Sequence, residues 1–164
     1  NYLEINDTEN PALVKFREES KDDYFICIHT AHFCDQICKK IGMDEKMLKC
    51  AALYHRVGEE LPKLMVKKHF PPKLREILTE YDTKKPPKNK ETAILACSDM
   101  VVSSITRMLR ENADTSIDYS VFIDQMFQKL IRDGYFWECN ISMQEYKAMH
   151  QIFREEKLYY DFLR

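Results

Sequence analysis

Glycine is scarce in this 164-residue chain, which has three glycines beside six prolines. So little punctuation excludes the frequent tight turns of a sandwich or barrel, and no long β run occurs. No run of about 18 apolar residues is present, so no membrane span is expected, and no signal-peptide pattern opens the chain. An excess of one charge is missing as well. The 25 Lys and Arg against 27 Asp and Glu leave a net charge of −2, with no global attraction to nucleic acid or anionic lipid. The six cysteines, Cys27, Cys34, Cys38, Cys50, Cys97 and Cys139, contain no CxxC pair. Reduced, buried thiols are therefore expected rather than disulfides or a zinc site, together with a cytoplasmic setting.

What is present is helical periodicity. Apolar residues make up 45% of the chain, and their spacing predicts an all-α fold. The length suits one core, so residues 1–164 are expected to form a single domain, and a first residue other than methionine suggests the excised soluble part of a longer protein. Asn10-Pro11 should open a helix, with Pro11 in the first turn where its missing N–H costs nothing. A stripe of Ile26, Thr30, Phe33, Ile37 and Ile41 predicts a helix over about 22–41, ended by Gly42. Asp44 should cap a helix reaching about Val57. Two short helices flank Pro71-Pro72, and Asn89 should cap the clearest helix, residues 90–110. Further helices are expected from Ser120 to Arg132, stopped by Gly134, and from Ser142, where Ser142-x-x-Glu145 has the capping-box pattern, onward through Tyr159.

Two tracts invite functional readings. "KKPPKNK", with Lys84, Lys85 and Lys88, is either a solvated connection or an anion site. "RDGYFWECN" holds the lone Trp137 and reads better as core packing beside a helix terminus than as a cofactor box. His69 and His150 carry no signal of their own.

Four segments in order carry a family resemblance: "LEINDTENPALVKFREESKDDYF", "IGMDEKMLKCAALYHRVGEELP", "KKPPKNKETAILACSDMVVSSITRML" and "RDGYFWECNISMQEYKAMHQIF". Together they resemble the cytosolic HD domain of bacterial seven-transmembrane HD receptors, cyclic di-AMP phosphodiesterases within the HD-domain metal-dependent phosphohydrolases. The resemblance implies an HD-domain helical bundle. It also implies two metal ions, held by histidines and aspartates, that generate a hydroxide and clamp the phosphate.

Carried over position by position, that metal site is degenerate. The first metal histidine falls on Ile26. In the His-Asp pair the histidine is His55 and the aspartate is replaced by Arg56. The family's lysine three residues later becomes Glu59, so an Arg56–Glu59 pair with reversed polarity is expected on a helix end. A second histidine pair falls near Tyr81 and Asp82, and the last aspartate is Asp99. A rebuilt site would have to draw on His29, His55, Asp82 and Asp99. His29 lies about 4.5 Å along the helix from position 26, and His32 lies a further turn on. Other readings keep His55 bonded to Asp99, Arg56 paired with Glu59 or Asp99, and both His29 and His32 as surface or half-buried residues.

Three functions follow from these positions. The first is a degenerate HD domain, a pseudoenzyme serving as sensor, scaffold or regulatory module, with no catalytic residues and no cofactor. The second is an active metal-dependent phosphohydrolase or phosphodiesterase that uses manganese, iron or magnesium. The third is a nucleotide-binding module without turnover, in which Arg56, Lys84, Lys85 and Lys88 hold the anion. The expected partner is a membrane-embedded portion of the same protein or another protein, with the domain tethered at the inner face of the membrane but making no membrane contact itself.

Overall fold

A computed structural model describes residues 2–112 and 116–164. Among the described residues there are ten helices and no strand, as the periodicity required. They are α1 (Tyr2–Ile5), α2 (Pro11–Glu19), α3 (Lys21–Ile41), α4 (Glu45–Tyr54), α5 (Leu61–Lys67), α6 (Pro72–Asp82), α7 (Lys90–Glu111), α8 (Tyr119–Arg132), α9 (Met143–Glu155) and α10 (Lys157–Phe162).

The boundaries have local causes. Asn10 accepts from the Leu13 amide at 3.0 Å and Asp44 from the Met47 amide at 3.0 Å, each satisfying a donor that has no partner within its helix. Gly42 ends α3 at φ +77°, where a side chain would be strained. At α9 the capping box is complete, with Glu145 N donating to Ser142 Oγ and Ser142 N to Glu145 Oε1.

The central element is α3, packed against α4, α7, α2 and α9. Its buried face, Ile26, Cys27, Thr30, Phe33, Cys34, Ile37 and Cys38, meets Leu48, Ala51 and Ala52 of α4 and Ile94, Val101 and Ile105 of α7 in one apolar cluster. All six cysteines are free and buried. By length and composition α7 could cross a membrane although it holds no uninterrupted apolar run; 67% of its apolar window is buried within the fold. That burial is what a core helix requires.

Several expectations need correction. The helix from Asp44 stops at Tyr54 rather than about Val57, because the chain turns at His55 and Arg56 toward Gly58 at φ +95°. Asn89 precedes α7 but makes no side-chain cap; its amide donates to Glu80 Oε1 and its oxygen accepts from Lys73. The last helix is divided at Glu156. Trp137 is 81% exposed, lying over Gly134 rather than in the core, while its neighbours Tyr135 and Phe136 do pack against the core.

Candidate functional site

The junction of α3, α4 and α7 gathers the charged residues of the fold's centre. Asp99 lies in the middle of α7 and is buried, so its carboxylate needs partners. Besides the Ser103 hydroxyl, 3.4 Å from Oδ1, it has two, both cationic or able to be so. His55, the residue following α4, places Nε2 2.5 Å from Asp99 Oδ2. Arg56 follows it and forks onto the same carboxylate, Nε to Oδ2 at 2.7 Å and Nη2 to Oδ1 at 3.0 Å. A third guanidinium N–H donates to Asp23 Oδ1 of α3 at 2.9 Å. Ser103, one turn along α7, donates its hydroxyl to the Asp99 backbone carbonyl at 2.7 Å.

His55 is wholly enclosed, and the tautomer follows from its neighbours. Nε2 faces the Asp99 carboxylate, and Nδ1 lies 2.6 Å from the Ala52 carbonyl oxygen. Cys27 Sγ also lies 3.7 Å from Nδ1; the two oxygen neighbours are acceptors, an arrangement that is fully satisfied when both nitrogens carry a proton. Burial alone would lower its pKa, but Cys27 and the Asp99 carboxylate outweigh that and hold it up at about 9. Burial would likewise raise the Asp99 carboxyl, and the two cations reverse this, holding it well below the usual carboxylate range. The hydrogen bonds to Asp99 also keep Arg56 more firmly protonated than an ordinary arginine.

The expected Arg56–Glu59 pair is not formed. Those residues stand beyond the helix, where i and i+3 side chains no longer share a face, and the guanidinium turns inward to Asp99 and Asp23 instead. Ile26 is buried and lines a small cavity of about 310 Å3 together with Asp23, Arg56 and Ser103. Tyr81 stands edge-on to the His55 ring, centroids 5.0 Å apart. A cleft of about 600 Å3 opens over His55, Arg56, Tyr81, Asp82 and Lys84. Lys84, at φ +61°, holds its ammonium 3.9 Å from the centre of the Tyr81 ring. Lys85 and Lys88 are exposed, and Lys88 uses its backbone N–H to reach Glu80.

The candidate ligands for a rebuilt centre do not all converge. His29 is bonded through Nδ1 to the hydroxyl of Tyr159, and His32 stacks on the same tyrosine at 4.0 Å. Burial lowers the pKa of both histidines. His150 pairs with Asp124 at 2.9 Å, and His69 stands at φ +53° before Phe70. Among the described residues no three His, Cys, Asp or Glu side chains are grouped as ligands would be.

The residues present at the junction do not fit the metal ions that the resemblance implies. A ligand must offer a lone pair, and neither His55 nitrogen has one free. Both Asp99 oxygens already accept from cations, and position 26 is apolar. A unit charge 4 Å from another at a surface-like dielectric repels it by about 4 kcal/mol, and a dication doubles that, so the guanidinium opposes a divalent ion strongly. Asp23 escaped the sequence reading, and Tyr159 was placed only on the stripe of the last helix, not beside His29 and His32. Asp23 could have been found three residues before Ile26 on the same helix face; Tyr159 carries no comparable signal.

Comparison with known proteins bears on the fold. No family model and no curated protein matches the chain. Solved structures do, two of them over most of the chain. The L. monocytogenes phosphodiesterase PgpH HD domain superposes with a TM-score of 0.75 at 18% identity, over 94% of this chain and 100% of that one. The same domain in complex with cyclic-di-AMP gives 0.72 at 16% identity, over 90% and 96%. The chain therefore has the all-α HD-domain fold.

Proposed function

We propose that this HD-fold protein is a binding or regulatory module that does not hydrolyse phosphodiesters. One observation carries the reading: both oxygens of Asp99 are taken by His55 and Arg56. The arrangement commits the Asp99 carboxylate and the His55 ring to each other and to Arg56 rather than to a metal that would activate water. The cleft beside it, with the Tyr81 ring and the Lys84 ammonium at its mouth, is the place for a ligand. A cyclic dinucleotide is the first to try, because a solved neighbour is a complex with cyclic-di-AMP. On this reading the module works at the cytoplasmic side, coupled to a membrane-embedded portion of the same protein or to a protein partner.

The test is incubation of protein purified without chelator with cyclic di-AMP and manganese, alongside calorimetric titration with the nucleotide in the absence of metal. No linearised product should form at enzyme concentrations that would reveal a single turnover. Steady turnover proportional to protein would overturn the proposal, whereas nucleotide binding without turnover would identify the ligand.

A further inference from the structure

We infer that Arg56 is the resident cation of the junction and the residue that excludes divalent metal from it, so that one side chain of the protein itself ties α3 to α7. The inference rests on the non-hydrolytic reading and adds the residue responsible. Arg56 is fixed by three hydrogen bonds to carboxylates of two different helices, Asp99 of α7 and Asp23 of α3. Its planar fork matches the two oxygens of Asp99, and its side chain retains only 29% exposure. Consider the same junction without the guanidinium. The Asp99 and Asp23 carboxylates and the His55 ring would then lose the cation between them, beside a small cavity lined by Asp23, Ile26 and Ser103 and also by Arg107 and Arg110. As they stand, these side chains are not grouped as ligands would be, but two carboxylates and an imidazole are the hard and borderline donor types that a divalent ion takes. The arginine removes that possibility twice over, by consuming the acceptors and by adding a positive charge.

Titration with Co2+, followed by the visible ligand-field absorption of the bound ion, tests this on the folded protein and on two variants, Arg56→Asp and Arg56→Ala. Wild type should show no ligand-field band and no Mn2+-dependent change in thermal midpoint. Arg56→Asp should bind Co2+ on the order of a hundredfold more tightly than wild type, since the charge beside the ion changes sign. Its thermal midpoint should rise in Mn2+ and fall back with chelator. Arg56→Ala should show the same changes more weakly. Stoichiometric Co2+ uptake by wild type would overturn the inference, and so would two folded variants that bind no more metal than wild type. Should both variants fail to fold, Arg56→Gln, which keeps hydrogen-bonding groups and loses the charge, replaces them, and uptake no greater than that of wild type overturns the inference. The two readings fail separately. Hydrolysis of cyclic di-AMP by wild type removes the non-hydrolytic proposal, whereas inert wild type with metal-free variants removes only the role of Arg56.

Discussion

Asp99 has two cationic partners and His55 two acceptors, so the stability that these residues contribute depends on pH in both directions. The Asp99 pKa is lowered by folding, so its contribution is present above the unfolded value of about 3.9 and is lost as pH falls through the folded one. The His55 pKa is raised to about 9. Its contribution is present in full below the unfolded value of about 6.5 and is lost as pH rises through the folded one. The junction is therefore expected to be strongest between roughly pH 4 and 6.5. Urea unfolding of wild type should lose roughly 2–3 kcal/mol between pH 6 and 9.5 from this residue. His55→Gln, which cannot titrate, should show a loss smaller by that amount, and equal slopes for the two proteins would show that His55 is neutral in the folded state. Much of this residue-scale picture was legible. The family resemblance, carried over position by position, implied that Ile26, His55, Arg56 and Asp99 belong to one site. Of the two partners offered for Arg56, Asp99 is the one bonded; the Glu59 pairing fails because it depends on where the helix ends, and that end is set by Gly58 and by the pull of Asp99, which is distant in sequence.

Elements with local signals were readable, whereas a tertiary contact divides the last one. The Ser142 and Glu145 box and the Asp44 cap declare themselves within four residues. The apolar stripe running from Ser142 through Tyr159 gave no such warning of the break at Glu156. In the structure the Tyr160 hydroxyl donates to the Phe153 carbonyl at 2.6 Å, folding α10 back on α9. Tyr159 in turn meets His29 and His32 of α3. Tyr160 is fully buried, so Tyr160→Phe removes one hydrogen bond and leaves an unpaired carbonyl, at a cost of about 1–2 kcal/mol. Chemical denaturation of wild type and variant measures this, and amide exchange should quicken first in residues 156–163. An unchanged midpoint would mean that aromatic packing alone holds α10 in place.

For the whole molecule, composition and periodicity sufficed for the fold class, because buried area in a helical bundle is encoded in spacing repeated along every element. Exposed apolar positions such as Trp137 were not legible, since an aromatic residue looks the same in sequence whether it packs inward or lies over a glycine. The HD-domain fold is preserved around a junction whose charges balance internally, with Asp99 and Asp23 facing His55 and Arg56. The central claim is that these side chains stand where bound ions would otherwise be needed. A crystal structure of wild type grown in millimolar manganese, with anomalous data at the manganese edge, tests it most directly. The account predicts no anomalous peak at the α3, α4 and α7 junction and Arg56 still forked onto Asp99; a manganese ion coordinated by His55 and Asp99, with Arg56 displaced, would contradict it.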